Sequence, residues 1–275
     1  MRLFGVRLTF AVILGFLIVL ACGLAAILAP WIAPHDPYLA MGQRWEGPSL
    51  DHWLGLDQIG RDMFSRILYG ARVSIGLALL ATLLAFATGT LTGFTAVIAG
   101  GWVAVVLSRI ADVILSLPTL VSALIVISAV GSSVPILVLT IGLLYSPLVF
   151  RAARTVAMSI VACEYVEAAR LRGEGLMWVI LREILPNAVP PLAAEFGLRF
   201  CFAFLFVAAL SFLGLGVQPP GADWGSMVKE SALAIPAGIA APLYPAAAIA
   251  LLTIGVNMMV DWLLSVHSRP QGENA

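Results

Sequence analysis

Charged side chains are scarce in this chain of 275 residues: they make up 11% of it, against 61% for hydrophobic residues. A typical soluble domain carries about 25% charged residues. The composition therefore excludes an ordinary soluble domain and indicates a protein that crosses a membrane several times. Basic and acidic residues number 15 each, so neither a net charge nor a polybasic run points to a nucleic-acid partner.

Lysine is almost absent, since Lys229 is the only one. A Walker A loop needs a lysine directly after its glycines to hold the phosphates of ATP, whereas Lys229 lies in the segment MVKES. The chain therefore cannot hydrolyse ATP by that route. We predict that it is not an enzyme in its own right and holds no ATP or Mg²⁺ of its own.

Cysteine and histidine are also few and scattered. The cysteines form no CxxC or His-rich cluster, so we interpret them as small apolar side chains. No HExxH-like pair is present, and no set of Ser, His and Asp assembles at one depth. The sequence thus predicts no catalytic residue and no metal site. The residues concerned are Cys22, Cys163, Cys201, His35, His52 and His267.

Long apolar runs dominate the rest of the sequence. Because backbone amides in lipid must be hydrogen-bonded within the protein and nothing alternates like a membrane strand, these runs predict helices. The fold class is therefore all-α and integral to the membrane, with six transmembrane helices. We place them at about 8–29, 73–98, 103–130, 134–150, 188–215 and 242–265.

The arginines predict the orientation, because positive residues accumulate on the cytoplasmic side. With both termini inside, the cytoplasmic segments hold Arg2, Arg7, Arg151, Arg154, Arg170, Arg172, Arg182 and Arg269. The outer segments then hold Arg44, Arg61, Arg66 and Lys229. The segments 30–71 and 216–241 become outer loops. Their tryptophans suit the membrane surface, and these loops either anchor the protein there or receive another molecule; the residues are Trp31, Trp45, Trp53 and Trp224.

Small residues recur every four positions on the second predicted helix, at Ala81, Ala85, Gly89 and Gly93. Such a stripe lets another backbone approach closely. The sequence does not say whether the neighbour belongs to this chain or to a partner.

Ionisable residues inside the predicted spans are few, and a charge at bilayer depth is costly unless it is paired or hydrated. Arg109 and Asp112 are three positions apart, and Glu195 and Arg199 four, so each pair can meet on one helix face. Asp261 lies one turn from Asn257. These residues either neutralise each other near helix ends or line an inner vestibule or gate.

Residues 151–187 are too polar to cross a membrane and too short to fold alone, so we predict a cytoplasmic loop. Within it, CEYVEAARLR predicts a short helix that ends at Gly173. Its alanines leave room for another protein's surface. The following GLMWVILREILP predicts a second amphipathic helix that leads into the membrane at Pro186, so the two form a rigid lever.

These residues resemble the EAA loop of bacterial ABC importer permeases. Its pattern is EAA, three residues, Gly, nine residues, Ile, any residue, Leu and Pro; Glu183 stands at the expected Ile, with Ile184 beside it. Further blocks are similar to the dipeptide, oligopeptide and nickel branch and to its C-type subunit. They are HWLGLDQIGRDMFSRILYGARVS (52–74), RIADVILSLPTL (109–120) and LSFLGLGVQPPGADWGSM (210–227).

The resemblance implies the type I permease fold, with a first helix and outer loop (1–71), a permease domain (72–265) and a cytoplasmic tail (266–275). It implies a multi-pass protein of the bacterial inner membrane. The implied partners are a homologous B-type permease, two ATPase subunits that bind ATP and Mg²⁺, an extracytoplasmic solute-binding protein and membrane lipid. The implied ATPase-docking positions are Glu167, Ala168, Ala169, Arg170 and Gly173. Asp57, Gly60, Arg61 and Asp62, in an outer block, are expected to shape their loop.

Three hypotheses follow: an importer permease, an intramembrane enzyme, and a channel or ion-driven carrier. The second lacks a catalytic set, and the third lacks charges at mid-membrane. For an importer, di- or oligopeptides are the favoured substrates. A nickel or other metal chelate, glutathione and opines are the alternatives.

Overall fold

The computed structural model describes residues 2–3, 6–7 and 10–267 of the chain. Two strands of two residues, β1 (Arg2–Leu3) and β2 (Val6–Arg7), pair antiparallel before the first helix. The helices are α1 (Phe10–Ile32), α2 (Met63–Ala99), α3 (Gly101–Ser116), α4 (Thr119–Val130), α5 (Val134–Val161), α6 (Glu164–Leu171), α7 (Leu176–Val179), α8 (Leu185–Phe212), α9 (Trp224–Ser231) and α10 (Leu243–His267). A π-helical turn (Ile180–Ile184) joins α7 to α8, and a 3₁₀ segment (Ala232–Ala237) follows α9.

Within these residues, 5 helices are long and apolar enough to cross a membrane, and the bent pair of α3 and α4 makes up to 6. The predicted membrane helices are thus confirmed in class and in order. The third predicted span, 103–130, is wrong as a single straight helix, because α3 and α4 meet at 87°.

The break lies at Leu117 and Pro118. Proline has no backbone N–H and forces the residue before it into an extended conformation, and Leu117 has φ −88° and ψ 138°. With 16 and 12 residues, α3 and α4 are about 24 and 18 Å long. Neither half alone crosses a hydrocarbon core of about 30 Å.

Other helices are longer than the sequence pattern predicted. The 37 residues of α2 extend about 55 Å, so this helix projects beyond the bilayer. The expected boundary between 71 and 72 falls inside α2, and is therefore not a break in the structure. The helix α5 continues to Val161, so the loop predicted to begin at 151 instead begins after the helix ends.

An extensive helix contact joins α2 to α5, and it shows which neighbour packs against the stripe of small residues. Ala81, Ala85, Gly89 and Gly93 are all buried. A Cβ atom built on Gly89 would lie 2.6 Å from the Ser146 carbonyl oxygen, and one on Gly93 would lie 2.9 Å from that of Phe150. The stripe therefore receives the backbone of α5 from the same chain.

These contacts also show that α2 and α5 run in the same direction, since Gly89 meets Ser146 and Gly93 meets Phe150 further along both helices. The segment 33–62 and α9 lie where α2 begins, because Trp224 bonds to Ser74 and Ile67. The helix α6 follows α5 and lies at the opposite end. We call these two regions the α9 end and the α6 end.

Substituting Gly89 tests the α2–α5 contact. We expect Gly89→Ala to lower the thermal stability of the detergent-solubilised protein, because the added methyl group overlaps the α5 backbone at a cost of about 1–3 kcal/mol. Gly76→Ala on the same helix is the matched control, since no atom lies within 4 Å of its added Cβ. Equal melting temperatures for the two variants would contradict the proposed packing.

Candidate functional site

The helix α6 confirms the predicted short helix and its end. Glu164 and Glu167 lie in its first turn, where a negative charge is favourable to the helix dipole. Gly173 follows the helix with φ +81°, a left-handed conformation that glycine adopts without strain. Because no atom of the described neighbouring residues lies within 4 Å of a Cβ built there, the backbone angle is the reason for the glycine.

One side of α6 is buried in the chain and the other is open. Val166 and Ala169 are each 0% exposed. The opposite side consists of exposed Glu164, Glu167, Ala168 and Leu171; Leu171, an apolar side chain, is 83% exposed. We call these four residues the open face of α6. The buried side packs against the rest of the chain, and the open face is exposed.

The buried side of α6 belongs to a hydrophobic cluster that joins several helices. Val166 packs with residues of α5, of α7 and the π-helical turn, and of the end of α2. The buried members include Phe94, Ala153, Ala157, Ile160, Val179, Ile180 and Ile184. We call this the anchoring cluster. It fixes α6 to the segment that leads into α8, so the two move together.

Arg172 connects the end of α6 to the same segment. Its guanidinium lies 5.9 Å from the centre of the Trp178 ring and 4.0 Å from a carboxylate oxygen of Glu183. The Arg172 side chain is 54% exposed, so each contact is weak on its own. The larger stabilisation comes from the anchoring cluster.

The second predicted helix is confirmed as a continuous path into the membrane. Residues Met177–Phe212 form one candidate span, which begins in the polar segment and continues through Pro186. Proline lacks an N–H, and here the Leu185 N–H donates to the Ile180 carbonyl in a wider π-helical turn. The Asn187 side-chain amide donates to the Glu183 carbonyl at 2.7 Å.

The predicted docking positions divide between the two sides of α6. Glu167 and Ala168 lie on the open face, and Gly173 is exposed just after the helix. Ala169 is buried against the rest of the chain, so its predicted contact with an ATPase subunit stays a prediction. The side chain of Arg170 lies outside the described residues.

Of the predicted intramembrane pairs, Glu195 and Arg199 do form one. The Arg199 Nε and a guanidinium nitrogen each lie 2.6 Å from Glu195 Oε1, and both side chains are 19% exposed. Arg199 also lines a cavity of about 190 Å³ with Tyr145 and Thr119, the first residue of α4. The carboxylate one turn away compensates the charge of this arginine within the candidate span.

The other predicted pair is wrong. Asp112 accepts a hydrogen bond from Arg151 on α5 at 2.7 Å rather than pairing with Arg109 on its own helix. Arg109 instead lines a groove of about 350 Å³ with Asp112 and Arg154. The helix spacing permitted the pair, but α5 brings a second arginine closer. Asp261 is exposed on α10, and no hydrogen bond between it and Asn257 occurs in the described chain.

At the α9 end, buried Asp57, Arg61 and Arg66 form a network with Glu230, whose side chain is 20% exposed. The Arg61 Nε donates to Asp57 at 2.7 Å, and its terminal nitrogen donates to Glu230 at 3.0 Å. Arg66 donates to the same two carboxylates, at 2.9 Å to Glu230. Since Glu230 lies on α9, the network ties α9 to the loop before α2. The expectation that Asp57 and Arg61 shape the loop agrees with this geometry.

Two further residues fix α9. The Asp223 carboxylate accepts from the Ser226 N–H in a capping box, and burial raises the pKa of Asp223 although the bonds from Ser226 act in the opposite direction. Trp224 is 2% exposed and donates through its ring nitrogen to the Ile67 carbonyl at 2.9 Å. Trp224 therefore packs inside the protein instead of facing lipid headgroups, whereas Trp31 and Trp53 are exposed.

The structure also brings together His35, His52 and Asp62. No sequence pattern predicted this cluster. Its members lie 10 or more positions apart along the chain and form no known ligand motif, so only the folded loop makes them neighbours.

The pH dependence of stability tests the buried network. Burial by itself would raise the pKa of Asp57, but the N–H groups of Arg61 and Ile59 and the charge of Arg66 outweigh it and lower the pKa. Because the folded value lies below the unfolded value of about 3.9, the stabilisation is complete above about pH 4 and is lost as the pH falls below it.

We therefore expect Asp57→Asn to lower the melting temperature at pH 7, since removing one partner of a buried ion network costs about 3–5 kcal/mol. The difference in melting temperature between this variant and the wild type should become smaller below about pH 4. Asp51→Asn, in the same loop and exposed, is the control. A difference that stays constant from pH 7 to pH 3 would refute the role of the ionised carboxylate.

Comparison with known proteins agrees with this architecture. Residues 81–270 match the family described as the binding-protein-dependent transport system inner membrane component. The dipeptide transport system permease protein DppC of Alkalihalophilus pseudofirmus is 35% identical over 256 residues, which cover 91% of this chain and 83% of the relative. The glutathione transport system permease protein GsiD of Escherichia coli is 34% identical over 240 residues, which cover 86% of this chain and 79% of the relative.

GsiD of Shigella boydii matches with the same values. The resemblance drawn from the EAA loop is thus confirmed, and the importer hypothesis prevails over the enzyme and the channel. The family members are transport permease subunits of the inner membrane and not enzymes themselves. On the family match and on its helices, this chain belongs to the binding-protein-dependent transport system inner membrane components, the permeases of ABC importers.

Proposed function

We propose that the open face of α6 is the surface on which an ATPase subunit docks. Membership of the importer family implies ATPase and binding-protein partners. The observation that supports this surface is the division of α6 into a buried anchor and an open face with the exposed apolar Leu171. Ala168 beside it leaves the helix backbone accessible to a groove in the partner, and Glu164 and Glu167 supply charges at the edge of the contact.

The proposed contact transmits motion through packing. A displacement of α6 carries the anchoring cluster with it, because Val166 belongs to the same cluster as Val179, Ile180 and Ile184. That segment continues as α8, which carries Glu195 and Arg199. Movement at α6 therefore reaches the residues beside the intramembrane cavity, and we place Arg199 in the translocation pathway. ATP and Mg²⁺ remain on the ATPase subunits.

The full importer, in this proposal, pairs the chain with a homologous B-type permease and with two ATPase subunits. The α6 end and both termini face the cytoplasm, in agreement with the predicted distribution of arginines. The α9 end faces outward and receives the solute-binding protein. Lipid covers the remaining apolar surface, including exposed Phe16 and Leu17 on α1.

We propose small peptides as the substrates. The relatives are named for dipeptide and for glutathione transport, and glutathione is itself a peptide of three residues. Both names fall in one chemical class with a free carboxylate, and the Arg199 guanidinium beside the cavity suits such a group. These names favour peptides over a nickel chelate.

Reversing one charge tests the docking surface. We expect Glu167→Arg to reduce copurification of the co-expressed ATPase at least about tenfold. The ATPase surface that accommodates the Glu167 carboxylate would then face a positive charge in its place. Asp51→Arg, an exposed reversal at the α9 end, is the matched control and should leave copurification unchanged. Equal melting temperatures for the two variants show that both fold. Normal copurification of Glu167→Arg would refute the proposed surface.

Uptake into proteoliposomes tests the substrate. We expect the assembled importer with its binding protein to accumulate a labelled dipeptide only when ATP is supplied to the ATPase side. Unlabelled dipeptide or glutathione should compete, whereas a nickel chelate should not. Competition by the chelate alone would refute the peptide assignment, and uptake by the Glu167→Arg importer at the wild-type rate would refute the coupling role.

A further inference from the structure

Three possible metal ligands meet at the α9 end. His35 follows α1, His52 lies in the loop before α2, and Asp62 is the N-cap of α2. One ligand atom from each residue lies within 4.8 Å of the other two. The Nδ1 atoms of His52 and His35 lie 3.0 and 3.9 Å from Asp62 Oδ1.

The two oxygens of Asp62 have different roles. Oδ2 accepts the Ser65 N–H at 2.8 Å and caps α2, while Oδ1 faces the two histidines. The carboxylate is 1% exposed, and the neighbouring Arg61 and Arg66 are engaged by Asp57 and Glu230. In the described part of the chain, the only side chains within ion-pair distance of Asp62 are thus the two histidines. A buried carboxylate of this kind favours a nearby cation.

His35 adds an independent observation. Its Nδ1 atom is buried and has no hydrogen-bond partner among the described residues. The His35 backbone N–H donates to Ser65 Oγ at 3.2 Å, which holds the ring against that of His52 with 4.8 Å between their centres. Buried ring nitrogens normally find a partner. A cation beside Asp62 Oδ1 would satisfy this nitrogen and the carboxylate together.

We infer that His35, His52 and Asp62 form a site for a divalent transition metal of the Zn²⁺ class. Bonds of about 2.0–2.1 Å in a tetrahedral site place ligand atoms about 3.3 Å apart. Small rotations of the two rings bring the observed separations of 3.0 and 3.9 Å to that value. Imidazole nitrogens select Zn²⁺ or Ni²⁺ over Mg²⁺ and Ca²⁺, which prefer oxygen ligands.

The site has three protein ligands and therefore one open position, which water fills. The His35 side chain is 26% exposed and the His52 side chain 15%, so the metal can enter from solvent. When bound, the metal links the end of α1 and the loop to the start of α2. The bound metal thus stabilises the α9 end in addition to the ion network of Asp57, Arg61, Arg66 and Glu230. The inference stands apart from the proposed docking at α6 and from the substrate.

The test uses the assembled importer, purified through a tag without histidines and freed of metal with a chelator. His35→Gln removes a ligand without removing any described side-chain hydrogen bond, and Asp62→Asn keeps a good N-cap. Asp51→Asn, beside His52 and exposed, is the control. We expect the wild type and the control to retain one more Zn²⁺ per chain than either ligand variant, with an affinity at least about tenfold higher.

Two further measurements distinguish a metal site from a merely structural role. Zn²⁺ should raise the melting temperature of the wild type by several degrees and Mg²⁺ should not, because only a ligand bound by the folded state stabilises it. Co²⁺ should give a visible absorption band in the wild type that His35→Gln lacks. Equal Zn²⁺ content and equal melting shifts in wild type and ligand variants would overturn the inference and leave a His52–Asp62 hydrogen bond as the whole interaction.

Discussion

The close approach of α2 and α5 determines where the functional parts of this permease lie. Helices in lipid gain little from hydrophobic burial against each other, so their contact depends on backbones that can approach closely. Gly89 and Gly93 remove the side chains that would separate the two helices. Because α2 and α5 run in parallel, α6 emerges beside the end of α2, where Phe94 joins the anchoring cluster. The position of the open face thus depends on two glycines within a membrane helix.

The two ends of the molecule use charge differently. At the α9 end, Asp57 and Arg66 are buried, and breaking such a network leaves an uncompensated charge. At the α6 end, Glu164 and Glu167 are exposed to water. Forming or breaking an ion pair with an exposed carboxylate changes the free energy only slightly. The first arrangement keeps a loop in one conformation. The second suits a surface that binds and releases a partner, as the proposed docking requires.

Local rules predicted the parts of the fold that local chemistry controls. Hydropathy predicted the membrane helices. Gly173 predicted the end of α6, because a left-handed backbone angle depends on the residue at that one position. Tertiary contacts decided the rest. Asp112 bonds to Arg151 instead of the predicted Arg109 because α5 packs beside α3. Trp224 is buried because α9 folds onto α2. The histidine cluster was invisible for the same reason, since its members meet only after the loop folds.

The segment between α6 and the cavity combines a stiff part with a part that bends. The anchoring cluster holds α6 and the π-helical turn together, whereas Pro186, Pro190 and Pro191 remove successive N–H groups from the first turns of α8. A helix that lacks these hydrogen bonds bends there more easily than elsewhere. In the proposed coupling, a displacement of α6 would therefore bend α8 in this region more readily than it would shift the whole helix. Glu195 and Arg199 lie about one to two turns beyond these prolines, and Arg199 lines the cavity, so a bend at the prolines would move the Glu195–Arg199 pair relative to the cavity.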